Sequence, residues 1–267
     1  MLPEPANSSY HSPSKKRSRC MSTSMQYKFL RRILKYRHMD FEFALWQMLY
    51  LCVSPRKVYR NFHYHKQTKD QWARDDPAFL VLLSIWLCAS SIGFAVMLKL
   101  PFLGFLKFLL WVVFVDCIAV GLIIASLLWF FCNRYLRIST THDPGQRVEW
   151  AYAFDVHLNA FFPLLLILHV IQLFCMKIII DNPWFISRFI GNSLWLIALV
   201  YYIYISFLGY SALPFLRSTV VLLYPVLLVV MGYIVSLAVG WNIGQTFLHF
   251  YEYRVVTQTA SLPQTIS

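Results

Sequence analysis

The stretch DDPAFLVLLSIWLCASSIGFAVML, residues 75–98, decides the fold class. From Ala78 to Leu98 it contains no charged side chain. A helix of that length, rising about 1.5 Å per residue, crosses a hydrocarbon core of roughly 30 Å. Asp76 suits an N-cap and Pro77 the first helical turn, so the span is expected to start here. Working outward, further apolar windows lie at about Phe105 to Cys132, Ala160 to Ile180, Arg188 to Gly209 and Val220 to Ile243. The fold read from this pattern is all-α, a polytopic transmembrane helical bundle of five spans over residues 78–243. Composition agrees: 58% of residues are hydrophobic and 13% charged, against about 25% charged in a soluble domain. Pro163 and Pro225 fall inside spans three and five and predict kinks.

Upstream of the first span the character reverses. The net charge is +12, and 15 of the 24 Lys and Arg precede residue 78, against six Asp and Glu. Residues 1–25 are rich in Ser, Pro, Lys and Arg and read as a disordered basic tail. They hold no apolar stretch of signal-peptide length, so the first span is expected to act as an uncleaved signal with the basic end in the cytosol. QYKFLRRILKYR, residues 26–37, places Phe29, Leu30, Ile33 and Leu34 at helical spacing among basic residues. This is a short amphipathic helix that either lies on an anionic leaflet or packs on the rest of the protein. FEFALWQMLYLCV, residues 41–53, is too short to span and reads as an interfacial or half-buried helix stopped by Ser54-Pro55. Residues 26–77 thus form a cytosolic or interfacial region. Five spans leave residues 244–267 as a lumenal tail.

Few polar residues interrupt the apolar windows. Asp116, within WVVFVDCIAVG, sits near the middle of span two, where an unpaired carboxylate costs about 3 kcal/mol or more. His169 lies at similar depth in span three, and an Asp116–His169 hydrogen bond is the simplest expected pairing; a small-solute transporter or channel using Asp116 is the alternative. No second mid-span carboxylate faces Asp116 as an aspartyl protease requires, and GYSA at 209–212 lacks the second glycine of a serine intramembrane protease motif. There is no GxGxxG, Walker loop or HExxH, and the six cysteines show no metal spacing, so neither a cofactor, a metal nor an enzymatic activity is expected.

DFEFALWQMLYL (40–51), SPRKVYRNFHYHKQTKDQWARDDPAFLVLLSIWLC (54–88), FDVHLNAFFPLL (154–165) and YIYISFLGYSALPFL (202–216) resemble signature segments of the Unc-fifty (uncoordinated-fifty) family of eukaryotic polytopic membrane proteins. The resemblance covers about residues 26–256. It implies a multi-pass Golgi membrane protein with its amino terminus in the cytosol, acting in trafficking rather than chemistry. It further implies recruitment of a large Arf guanine-nucleotide exchange factor and promotion of cell-surface expression of nicotinic acetylcholine receptors. An inner-nuclear-membrane pool with RNA binding is ascribed to vertebrate members and is a second implied reading. The family carries no established catalytic or ligand residues to transfer.

Two candidate surfaces follow. Lys69, Asp70, Arg74, Asp75 and Asp76 form a sign-mixed patch, held at a fixed depth by the adjoining span, that a soluble partner can read. The same charges also suit an internal salt-bridge network. Lys15, Lys16, Arg17, Arg31, Arg32, Arg56, Lys57 and Arg60 are candidates for contact with anionic membrane lipid or, given the interleaved aromatics of RKVYRNFHYHK, with RNA.

Overall fold

The structure, a computed structural model, describes residues 39–60, 77–138, 146–175 and 185–253. Five of its helices are long and apolar enough to cross a membrane: α2 (Ala78–Met97), α3 (Phe102–Leu136), α4 (Trp150–Cys175), α5 (Phe185–Ser211) and α6 (Thr219–Val239). α1 (Phe41–Val53) precedes them and α7 (Ile243–Glu252) follows. Among the described residues there is no strand; a single bridge between Arg137 and Leu216 ties the end of α3 to the segment after α5. The all-helical five-span architecture is thus the one the hydropathy pattern predicts.

α4 is the centre of the bundle. Of its apolar window 56% is buried, against 11% for the peripheral α6. It packs on α3, α5 and α1, and the close approaches are made over small residues, as membrane helices require in the absence of a hydrophobic drive between them. Gly121 of α3 lies against the His157 imidazole, leaving no room for a Cβ. A Cβ on Gly209 of α5 would stand 2.8 Å from both Val156 methyls.

Three features depart from the hydropathy reading. α4 begins at Trp150, well before the apolar run at 160, because Asp155, His157 and Asn159 lower the hydropathy of its first turns. His157 and Asn159 are nevertheless buried, with their polar atoms bonded inside the bundle. Pro225, expected inside a helix, stands at the first position of one. It opens the α-helix Pro225–Val239 after a 3₁₀ turn at Thr219–Leu223, where its missing N–H leaves no bond unmade. Pro163, by contrast, lies inside α4, and three residues later the ladder widens into a π-helical segment, Leu166–Ile171. A second wide segment, Val112–Ala119, interrupts α3.

α1 runs along the side of the bundle. Tyr201 Oη donates to the Leu51 and Cys52 carbonyls at 2.8 and 2.9 Å, satisfying the last turn of the helix. Farther on, Arg56 Nε donates to Tyr204 Oη at 2.8 Å, and Tyr59 packs at Gly209. Partners on α5 therefore advance steadily toward its carboxyl end as the chain moves from 51 to 59. The buried side of α1 is fixed by Gln47, whose Nε2 donates to Asn159 Oδ1 at 2.9 Å. Its outer side exposes Leu45, Leu49 and Val53, and apolar surface beside spanning helices belongs in lipid. Leu49→Lys is accordingly expected to destabilise the protein in nanodiscs by about 1–3 kcal/mol, read as a fall in thermal midpoint; a water-facing residue there would give no change.

Candidate functional site

α3, α4, α5 and α7, with Phe94 of α2, line a half-open cavity of about 240 Å³. Its wall is mostly apolar, but Asp116, His157, His169, Gln172 and Tyr251 also reach it. Asp116 and His169 each sit in one of the π-helical segments, where a widened turn re-aims side chains, as happens frequently at functional sites.

Asp116 and His169 share this cavity rather than the hydrogen bond expected from their matching depth. Asp116 Oδ2 accepts from Tyr251 Oη at 2.7 Å, and His169 Nδ1 lies 3.5 Å from Ser90 Oγ with its ring edge-on to Phe94. The correction has a local cause: α7 folds back against the spans and delivers a phenol to the carboxylate. The phenol O–H donates and the carboxyl oxygen accepts.

His157 is the residue the sequence reading missed. Its Nε2 lies 3.2 Å from the Cys117 carbonyl of α3, and its Nδ1 lies 2.7 Å from Tyr202 Oη of α5. A carbonyl only accepts, so Nε2 carries the proton and Nδ1 accepts from Tyr202. One neutral imidazole thus joins three spans. Tyr202→Phe removes one of these bonds and strands Nδ1; the expected loss is about 1–2 kcal/mol in thermal unfolding, with Tyr202→Leu costing more through lost volume.

A second cluster holds α7 in place. Asn192 of α5 donates to Ser236 Oγ at 2.9 Å and to the Trp241 carbonyl at 2.8 Å, and accepts from Ile243 N at 3.0 Å. Arg188 Nη1 donates to the Gly240 carbonyl at 3.0 Å, and Asn242 caps α7 by accepting from Gln245 N at 3.2 Å. Trp195 stacks on Phe247 with centroids 4.3 Å apart. The residues after 243, expected as a tail, begin as a docked helix that closes one side of the cavity.

Of the surface candidates, Arg56, Lys57 and Arg60 lie exposed on the helical residues 55–60, while Val58 and Tyr59 are buried in the core. Lys57 Nζ stands 5.3 Å from the centroid of the Tyr50 ring. Lys15, Lys16, Arg17, Arg31, Arg32, Lys69, Asp70, Arg74, Asp75 and Asp76 lie outside the described residues. No group of three or more potential metal ligands occurs among the described residues.

These elements, from α1 through α7, fall within the residues 29–252 that match the model of the UNC-50 family. The chain belongs to the UNC-50 family. Protein unc-50 homolog A of Xenopus laevis is 62% identical over 232 residues, covering 86% of this chain and 88% of the frog protein. The human unc-50 homolog is 59% identical over 244 residues, 91% of this chain and 93% of its own. The Drosophila melanogaster unc-50 homolog is 54% identical over 255 residues, 95% of this chain and 89% of the fly protein. No solved structure matches this UNC-50 chain.

Proposed function

We propose that this UNC-50 protein is a non-catalytic Golgi trafficking receptor or adaptor. With its amino terminus in the cytosol, it recruits a large Arf guanine-nucleotide exchange factor and promotes surface delivery of nicotinic acetylcholine receptor subunits. The observation that supports the reading best is the anchoring of the helix at 55–60. Val58 and Tyr59 are held in the core and Arg56 is bonded to Tyr204. The chain is therefore held at a fixed point before the sign-mixed stretch 66–76 and again at Pro77, itself buried. The alternating charge of residues 66–76 supplies the pattern by which a partner is selected.

The test is simultaneous charge reversal at Arg74, Asp75 and Asp76 in a protein that still localises normally. Recruitment of the exchange factor is expected to fall at least tenfold in quantitative co-purification. Unchanged recruitment by a correctly localised variant would falsify the proposal that this patch is the docking surface.

A further inference from the structure

The cavity beneath α7 presents a negative, acceptor-rich corner inside an aromatic wall. Among the described residues Asp116 has one hydrogen-bond partner, Tyr251, through Oδ2, which leaves Oδ1 open. No cation is paired with it there. Ser90 Oγ donates to the Leu87 carbonyl at 3.0 Å and stands 3.5 Å from His169 Nδ1. In either tautomer a neutral His169 keeps one ring nitrogen as an acceptor. Gln172, 5% exposed, adds a third acceptor: its Oε1 is buried without a hydrogen bond. Around these stand the rings of Phe94, Trp195, Tyr202 and Phe247.

Three acceptors, one of them a carboxylate, call for a cation with several N–H donors, and aromatic faces favour the same charge. Size narrows the class. A cavity of about 150 Å³ holds benzene, so 240 Å³ takes about ten non-hydrogen atoms by the same ratio. We infer that this cavity is a binding site for a small lipophilic primary amine. Its ammonium group lies between Asp116, His169 and Gln172, and its apolar body lies against Trp195 and Phe247. The indole Nε1 of Trp195 is also buried without a partner; as a donor it is not answered by an ammonium, and the Trp195 ring, stacked on Phe247, meets the apolar body of the ligand. Among the described residues that line the cavity, none is a lysine or arginine. The inference does not depend on the trafficking proposal.

The test uses the full chain in nanodiscs with two probes of equal size, 2-phenylethylamine and n-propylbenzene, corrected for partition into empty nanodiscs. Saturable binding of the amine at least tenfold tighter than that of the hydrocarbon is expected. Asp116→Asn should abolish the preference while retaining hydrocarbon binding, and Leu248→Trp should exclude both probes. His169→Leu, a milder change, should weaken the amine several-fold and leave the hydrocarbon unaffected. The inference is overturned by equal affinity for the two probes, by amine binding indifferent to both Asp116→Asn and His169→Leu, or by the absence of saturable amine binding. Water alone in the cavity would produce the last of these results.

Discussion

Gly121→Leu is expected to leave little or no folded membrane domain. The His157 imidazole already occupies the space where a Cβ would stand, so a leucine must drive the ring out of the interface between α3 and α4. Overpacking of this kind costs about 1–3 kcal/mol. Displacing the ring also breaks its bonds to the Cys117 carbonyl and to Tyr202, and each buried polar group stranded without a partner costs about 1–3 kcal/mol more. The sum is about 3–9 kcal/mol, comparable with the roughly 5–15 kcal/mol that holds a typical domain. The expected readout is loss of the monodisperse peak in size-exclusion chromatography, with Gly121→Ala showing a smaller fall in thermal midpoint. A leucine variant with wild-type yield and midpoint would contradict the assigned helix contact.

Asn192→Leu is expected to release α7 while the five spans stay folded. Leucine matches asparagine in size but supplies none of the bonds to Ser236, Trp241 and Ile243. About 3 kcal/mol is lost through the stranded backbone groups, and the remaining attachments of α7, the Trp195–Phe247 stack and the Tyr251–Asp116 bond, lie on the helix beyond the junction. Leu248→Cys, in a background with the native cysteines replaced, reports this directly. Its thiol faces the cavity wall and should react slowly with a polar maleimide. The Asn192→Leu variant should raise that rate at least tenfold, whereas Asn192→Asp, which keeps an acceptor for Ile243 N, should raise it less. Equal rates in all three proteins would show that Asn192 does not hold the helix.

How far the fold and the cavity could be read from sequence depended on how each element meets the bilayer. α2, α3, α5 and α6 announce themselves because lipid selects long apolar runs. The first turns of α4 were hidden for the opposite reason: a central helix with 56% of its apolar window buried can afford His157 and Asn159, since neighbouring helices supply the hydrogen bonds that lipid cannot. Asp116 and His169 could be recognised as intramembrane polar residues, but their pairing could not. The π segments at Val112–Ala119 and Leu166–Ile171 shift both away from simple helical phase, and the actual partner of Asp116 is Tyr251, in a helix beyond the last apolar run. That helix does carry a signal: Ile243, Phe247, Leu248 and Tyr251 recur at helical spacing after the capping residue Asn242. The mixed charges of 66–76 pointed to a surface by position and sign alone, and Lys69, Asp70, Arg74, Asp75 and Asp76 lie outside the described residues.

The trafficking account stands or falls on what meets the amino-terminal region in a living cell. Proximity labelling from a tag at the amino terminus measures this most directly. The account predicts enrichment of a large Golgi Arf guanine-nucleotide exchange factor, lost on charge reversal at Arg74, Asp75 and Asp76. Enrichment of nuclear RNA-binding proteins without any exchange factor, or of neither class, would contradict it.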